Sequence, residues 1–541
     1  MEKKPLIGVS ICAVVLLVLG SLSNVVAYQA QDIEKPIPTS RGDWLYVGGS
    51  GPGNYTKIQD AINASSDGDI IYVYAAFSPY IENININKSL TIIGEDKTNT
   101  IIDGNYSGNI ITITANNTTV KGFSIRHSGS SDNPYKDFIN GIKVWSNNVI
   151  LQDNYLSNNE NGIYCESVSK IHILNNTITN SSTFGIFFNI SSNHNEVNNN
   201  TLTNYSSGVF LRYSANNLIQ NNIMFDGNQE GINIFFSHST QVLNNTICGH
   251  KHQGISISDE CINNTIINNK ITENQMWGIW AEASSNNKIE SNLITENNWS
   301  GIQIEDHCNN NLISNNIFKN NSLYGGIRIG STCDHNMIVH NLFQDNEYGI
   351  RVESLPQEHP KNNSIFHNNF INNADSAYDS GYNHNDSWNA TLLEGGNYWS
   401  DYQGSDVDVD GIGDTPYNIS GGNNQDHYPL MLPYGMTNLS IRIQPKNFKL
   451  LIFIKNIGNT TAFEVKWNIS ISGFVLFGKE LSGFALKPVL PETEFLYISN
   501  KLFIGLGRIE ISATAWADNA PVVTEKMNGI LILWFFRIIE R

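Results

Sequence analysis

A glycine followed by an aliphatic residue returns ten times at nearly fixed spacing, at Gly141, Gly162, Gly185, Gly208, Gly231, Gly254, Gly278, Gly301, Gly326 and Gly349. The steps are 21, 23, 23, 23, 23, 24, 23, 25 and 23 residues. A second marker keeps phase with it, typically as Asn-Asn-x-aliphatic: Asn154, Asn176, Asn200, Asn222, Asn245, Asn269, Asn292, Asn316, Asn341 and Asn369. Internal repeats of this length signify a stacked architecture, because one unit cannot bury its own apolar face.

Each unit opens with an alternating run such as Gly-Ile142-Lys-Val144 or Gly-Ile302-Gln-Ile304. Period two is the signature of a strand, so positions +1 and +3 face inward and +2 and +4 outward. Two more short apolar runs follow, as in Leu312-Ile313 and Ile317-Phe318, separated by Asn, Ser and Asp. Three short strands and three polar corners in about 23 residues predict one rung of a right-handed parallel β-helix, so the chain is all-β over residues 44–395. Irregular opening rungs are expected over residues 44–130, with a short helical piece, Lys57-Ile58-Gln59-Asp60-Ala61-Ile62, capping the open end.

The repeat accounts for the composition. Only 15% of the 541 residues are charged, yet 78 are asparagine. Asparagine tolerates the left-handed conformation of a tight corner, and its amide can hydrogen-bond the same side chain one rung away. Ten in phase predict a ladder about 45 Å long at roughly 4.8 Å per rung, where a charged residue would repel itself. Cys261, Cys308 and Cys333 each lie seven residues after their glycine, where other rungs place Ser169, Ser192, Ala215 and Ser285, and so read as a stack of small residues. Cys308 and Cys333 occupy adjacent rungs, within reach of a disulfide. The net charge of −18 without basic clusters argues against nucleic acid as a partner.

Residues 1–27 combine Lys3 and Lys4 with an uncharged stretch, Pro5 to Ala27, that ends in Val25-Val26-Ala27. This is a signal peptide or an uncleaved N-terminal anchor, so export to the cell surface or beyond is expected, with membrane contact only through that segment. Sequons such as Asn105 and Asn298 then permit glycosylation. After a closing segment at 396–433 the repeat ends, and runs such as Leu451-Ile452-Phe453-Ile454 and Ile509-Glu510-Ile511 predict a small Ig-like β-sandwich over 436–541.

The opening Val47-Gly48-Gly49-Ser50-Gly51-Pro52-Gly53-Asn54-Tyr55, the rungs, and the closing Gly396-Asn397-Tyr398-Trp399-Ser400-Asp401-Tyr402 with Asp426-His427-Tyr428-Pro429-Leu430 resemble the NosD-like family of parallel β-helix proteins. That resemblance covers roughly residues 44–432 and implies the pectin-lyase-like fold and a surface protein. It also implies an accessory role in copper handling, since the family name descends from such a protein.

Three kinds of site compete. Asp406, Asp408, Asp410 and Asp414 stand at positions one, three, five and nine of a loop with Gly411 at six and the Ile412 carbonyl at seven, the pattern of a Ca²⁺-binding loop. Position twelve is Tyr417, so Asp401 or Asp426 is expected to supply the missing ligand. The outward face of the first strand carries Trp145, Tyr164, Phe187, Phe210, Trp280 and Arg328, a row expected to stack on the sugar rings of a polysaccharide or surface glycan. On the same face Glu282 and Glu305 stand in phase on neighbouring rungs, where two carboxylates could act as acid and nucleophile of a polysaccharide hydrolase or lyase. Pairing of Glu282, Glu305 and Glu353 with Arg328 and Arg351 is the weightier reading, and non-catalytic binding is the expected function. Copper would need the soft donors near Cys248-Gly249-His250-Lys251-His252 or Cys333-Asp334-His335-Asn336-Met337 with His340, and these histidines read as surface residues. Oligomeric state is not encoded in any of these features.

Overall fold

The computed structural model describes residues 43–540 apart from 133–137, 354–358, 381–384, Val409 and short stretches of the C-terminal part, the longest being 499–503. The signal or anchor segment lies outside the described residues.

The repeat folds as a parallel β-helix. One sheet has fourteen strands, one per rung, from Trp44–Val47 to Ser364–Phe366. The other two faces are joined into a single sheet because Thr177–Asn189 and Thr201–Arg212 run unbroken round a corner. All of these strands pair in parallel with rung-by-rung register, as in Ile279↔Ile302 and Ile302↔Ile327. The inward positions are aliphatic and fully buried from Val47 to Ile365, forming one continuous core. The repeated glycine follows from close approach: a Cβ on Gly162, Gly231, Gly278 or Gly301 would meet the carbonyl oxygen of the next rung's glycine at 2.5–2.8 Å.

The Asn-Asn pair divides two tasks. The first residue takes the left-handed conformation, with φ of 56–59° at Asn175, Asn199, Asn221, Asn244, Asn268 and Asn315. The second points inward, and its Oδ1 accepts both the backbone N–H and the side-chain Nδ2 of its counterpart in the preceding rung. Asn222 donates in this way to Asn245 at 2.9 and 2.9 Å, and Asn245 to Asn269 at 2.8 and 3.0 Å. The remaining Nδ2 proton goes to a backbone carbonyl, as from Asn245 to Ile219 at 2.9 Å. The ladder runs from Asn154 through Asn341 to Asn368, Asn397 and Asp426. Its tenth rung is therefore Asn368, and Asn369 instead starts the next strand and accepts the Tyr434 N–H at 2.6 Å. A second ladder passes through Asn264, Asn287, Asn311, Asn336 and Asn363 to Asp386, and a third through Asn274, Asn297, Asn321, Asn346 and Asn373.

The third ladder is interrupted, and there His250 proves to be fully buried rather than on the surface. Gly227 leaves the space of one side chain empty, and Tyr205 reaches across it so that its hydroxyl meets His250 Nε2 at 2.7 Å. His250 Nδ1 lies 3.0 Å from Asn274 Oδ1, which can only accept, so the neutral ring donates there and accepts from Tyr205. The small-residue stack is also real, with Ser192, Ser237, Cys261, Cys308 and Cys333 fully buried. Its members in three other rungs are Val168, Ser214 and Ser284 rather than Ser169, Ala215 and Ser285: Val168 is buried, Ser214 N–H donates to Ser237 Oγ and Cys261 N–H to Ser284 Oγ. Cys308 and Cys333 are both free thiols, and the neighbouring Cys308 together with burial holds the Cys333 thiol well above its ordinary value.

Both ends are closed. Helix α1 (Ile58–Ala64) lays Ile58, Ala61 and Ile62 on the first rungs, and Glu82 from the following rung accepts its Ile58 and Gln59 N–H groups at 2.9 and 3.0 Å. At the far end Phe318, Phe343, Phe370, Trp399 and Tyr417 stack face to face at 4.9, 4.9, 4.3 and 4.2 Å between centroids. The C-terminal part is a sandwich of a three-stranded and a five-stranded antiparallel sheet around Ile443, Ile452, Ile454, Trp467, Ile469 and Ile511, which fits the Ig-like expectation. The final apolar run is strand, in Ala520–Leu533 and Phe535–Glu540.

Two predictions follow from the ladders. Asn245→Ala leaves the Asn222 N–H and Nδ2 without their acceptor inside the core, and is expected to cost about 3 kcal/mol, read as a lowered denaturant midpoint. Burial pushes the His250 imidazole down to about 4. An unfolded histidine titrates near 6.5, so the unfolded chain binds this proton first as pH falls, and the stability His250 contributes is complete above about pH 6.5 and lost toward pH 4. The drop in Tm between about pH 7.5 and 4.5 should therefore be smaller in His250→Asn than in the wild type.

Candidate functional site

The outward face of the sheet that follows each glycine gathers most of the chemically distinctive side chains. Register places Lys143, Tyr164, Phe187, Phe210, Asn233, Ser256, Trp280, Gln303, Arg328, Arg351 and Tyr378 in one file, each opposite the next. Small polar residues in the middle, Asn233, Ser256 and Ser258, separate two aromatic banks.

The first bank corrects the expectation of an open row. Tyr164 and Phe187 are buried, because Phe138 stacks on Tyr164 at 4.9 Å and Phe184 packs on Phe187 at 4.7 Å. Phe184 arrives there because its strand runs round the corner onto this face, and Phe210 is stacked on Phe187 at 4.8 Å, half-buried. These rings form a satellite core rather than a sugar platform. Trp145 alone of the expected first-bank rings stays open, at 50% exposure, with the Lys143 ammonium 4.0 Å from its ring and its indole N–H donated to Glu166.

The second bank is half-buried and ringed by polar groups. Trp277 and Trp280 lie 5.9 Å apart and 22° from parallel, Trp299 meets Trp277 edge-on at 4.6 Å, and Tyr324 extends the row. Trp280 donates its indole N–H to Glu305 Oε1 at 2.7 Å, Gln303 donates to Glu305 Oε2 at 2.6 Å, and Trp277 donates to Gln303 Oε1 at 2.6 Å. One rung on, Arg328 and Arg351 both bind Glu353, at 2.5 and 2.6 Å, while Arg328 also stands 3.7 Å from Glu305. Tyr324, Tyr348 and Tyr378 pack under the guanidinium groups at 4.7–5.7 Å. A cavity of about 390 Å³ opens beside this network, lined by Glu305, Asp306, Arg328, Gly330, Ser331, Glu353, Tyr378 and Ser380. Glu282 lies opposite Glu305 in the ladder, and burial, with Asp259, Asp306 and Glu305 nearby, raises its carboxyl above the ordinary value. Sequence reasoning missed Trp277, Trp299 and Tyr324, although each sits one or two residues before a repeat glycine in three successive rungs.

In the closing segment Asp406, Asp408 and Asp410 bring carboxylate oxygens within 4.8 Å of one another, and Gly411 has φ +90° as the loop pattern requires. Asp406 accepts the Asp410 and Gly411 N–H groups, Asp410 that of Ile412, and Asp414 that of Val407. The negative charge of Asp410 raises Asp408. Asp426 cannot serve this loop: it is buried at the end of the first ladder, binding the Asn397, Trp399 and Tyr428 N–H groups. Asp401 accepts the Tyr417 hydroxyl at 3.0 Å.

The family profile described as periplasmic copper-binding protein (NosD) matches residues 58–223, 188–325 and 322–404, well over half of the chain. The chain belongs to the NosD family. No curated protein sequence matches it. Among solved structures it is similar to the Azotobacter vinelandii mannuronan C-5 epimerase AlgE6 A-module, at 13% identity over 61% of this chain and 92% of that one, TM-score 0.41. The catalytic unit of the thermostable GH87 α-1,3-glucanase from Streptomyces thermodiastaticus gives 15% identity, 61% and 65% coverage and a TM-score of 0.45. At these values nothing about chemistry passes from those enzymes to this NosD-family chain.

The copper in the family's description finds no fitting donor set among the described residues. His250 is enclosed by Tyr205 and Asn274, and Cys333 faces the core, whereas His335 and Met337 point to solvent. His340 and His367 lie in parallel planes 5.6 Å apart and stack with Tyr434. Among the described residues, the group of three histidine, cysteine or carboxylate side chains with converging donor atoms is Asp406, Asp408 and Asp410, a set of hard oxygens unsuited to copper.

Proposed function

We propose that this chain is an exported surface protein of the NosD family that binds carbohydrate without transforming it, through the second aromatic bank. The observation that carries the reading is the half-buried row Trp277, Trp280, Trp299 and Tyr324 beside a polar cavity, two of its rings held by hydrogen bonds from their own indole groups. Indole faces supply broad contact to the C–H faces of sugar rings, and fixed polar neighbours orient hydroxyls. Export rests on the basic and apolar N-terminal stretch.

Binding is favoured over hydrolysis because both oxygens of Glu305 are engaged by Trp280 and Gln303. The competing reading keeps one support: the raised carboxyl of Glu282 lies opposite Glu305, the relation a protonated acid and an ionised carboxylate would need. Affinity electrophoresis of the purified chain against soluble polysaccharides should show retardation, and Trp280→Ala should weaken it about tenfold. Release of reducing sugar or unsaturated product, abolished by Glu305→Gln, would replace binding by catalysis.

The Asp406–Asp414 loop is proposed to hold Ca²⁺ and thereby fasten the closing segment, supported by the three converging carboxylates and the left-handed glycine. Millimolar Ca²⁺ should raise the Tm of chelator-treated protein by several degrees, and Asp408→Asn should abolish the increment; a melting curve indifferent to chelation removes the site.

A further inference from the structure

The charges of the second bank point to the kind of chain it accepts. Arg328 and Arg351 are the cations of this bank among the described residues, and a polyuronate or sulfated polymer would be expected to bind through them. Each guanidinium is already paired with a carboxylate that offsets its charge. Arg328 gives Nε to Glu353 at 2.7 Å and a terminal nitrogen to the same carboxylate at 2.5 Å, with Glu305 on its other side at 3.7 Å. Arg351 donates Nε to the second oxygen of Glu353 at 2.6 Å. Two arginines thus share one carboxylate, and their planes rest on Tyr324, Tyr348 and Tyr378. The cavity wall sets Glu305, Asp306 and Glu353 against Arg328, and Glu282 lies opposite Glu305 on the preceding rung, with Asp259 adding to the negative charge around it.

We infer that this bank selects a polysaccharide without acidic groups and rejects polyuronates, with Glu353 as the residue that enforces the selection by occupying both arginines. This rests on the carbohydrate-binding reading above and narrows it to a ligand class. A neutral chain offers C–H faces to Trp277 and Trp280 and hydroxyls that can both donate and accept, whereas a polyuronate brings a carboxylate with every sugar toward Glu282, Glu305 and Asp306. Discrimination of this kind comes from the repulsive term as much as from the attractive one.

The test compares soluble glucomannan and xyloglucan with alginate and polygalacturonate, using tryptophan fluorescence and affinity electrophoresis on the full chain. The neutral polymers should bind at least about tenfold more tightly than the acidic ones at low salt, with the gap narrowing as salt screens the carboxylates. Glu353→Gln removes the carboxylate that pairs with both arginines and should raise the ratio of polygalacturonate to glucomannan affinity about tenfold. Should that variant fail to fold, the salt dependence of the wild-type preference decides alone. Polyuronate binding equal to or tighter than neutral binding overturns the inference and leaves carbohydrate binding standing. A preference untouched by salt, or a folded Glu353→Gln with that ratio unchanged, shows that charge is not the cause and likewise overturns it. Binding of neither class removes the carbohydrate-binding reading itself.

Discussion

The inward-facing asparagine is the interaction on which the β-helix depends. A corner of a 23-residue rung turns backbone N–H and C=O groups toward an interior without water, where each unpaired group costs on the order of 1–3 kcal/mol. One amide solves this for two rungs at once. Its Oδ1 takes the backbone N–H and the Nδ2 of the preceding rung, and its own Nδ2 returns a proton to a backbone carbonyl, as Asn245 does between Asn222, Ile219 and Asn269. Because donor and acceptor lie in one neutral group, the pattern can be repeated along the axis without accumulating charge. The stacked glycines and the alternating aliphatic residues fit around that constraint.

Where the ladder fails, the chain uses larger groups to the same end. At Gly227 the inward side chain is missing, and the gap is spanned by Tyr205 and His250, two rungs apart. Their hydrogen bond and that from His250 to Asn274 keep every polar atom of the imidazole paired, at the expense of a ring that resists protonation. On the outer face the same regular register has the opposite consequence. It brings residues of like type into files, so that aromatic rings gather into banks and carboxylates stand next to carboxylates.

The repeat itself was fully legible in the sequence, because glycine and asparagine spacing reports directly on rung length and corner position. The parallel β-helix and a C-terminal antiparallel sheet region both follow that pattern. Misreadings came where a rung departs by a single residue. Asn368 and Asn369 are chemically identical, and only the corner geometry decides which one faces inward. Burial of Tyr164 and Phe187 depends on Phe138 and Phe184, which lie outside the regular outward positions, so alternation alone predicts exposure. His250 was hidden for a related reason: its partner Tyr205 is 45 residues away in the chain. Periodicity thus located the scaffold, while the site depends on residues at the corners, where periodicity is weakest.

The way the ladders end bears out their polarity. Every asparagine in the series accepts from one neighbour and donates to the other, so the final member has an acceptor's task and no further asparagine of the ladder to donate to. In two of the ladders that position is an aspartate. Asp386 accepts the N–H and Nδ2 of Asn363 through one oxygen, and Asp426 accepts the Asn397 N–H and the Trp399 indole. A carboxylate brings only acceptors, so no side-chain N–H is left over at the terminus, but it puts an ionisable group in a buried place. Burial lifts the Asp426 carboxyl to about 6, against the pull of the three N–H groups it receives. An acid raised in this way binds its proton more readily folded than unfolded, so its share of stability shrinks as pH rises through about 6, opposite in sign to the contribution of His250. The end of the ladder is therefore the place where the uncharged interior gives way to charge, and it lies within the same closing segment whose exposed loop carries the Asp406–Asp414 cluster.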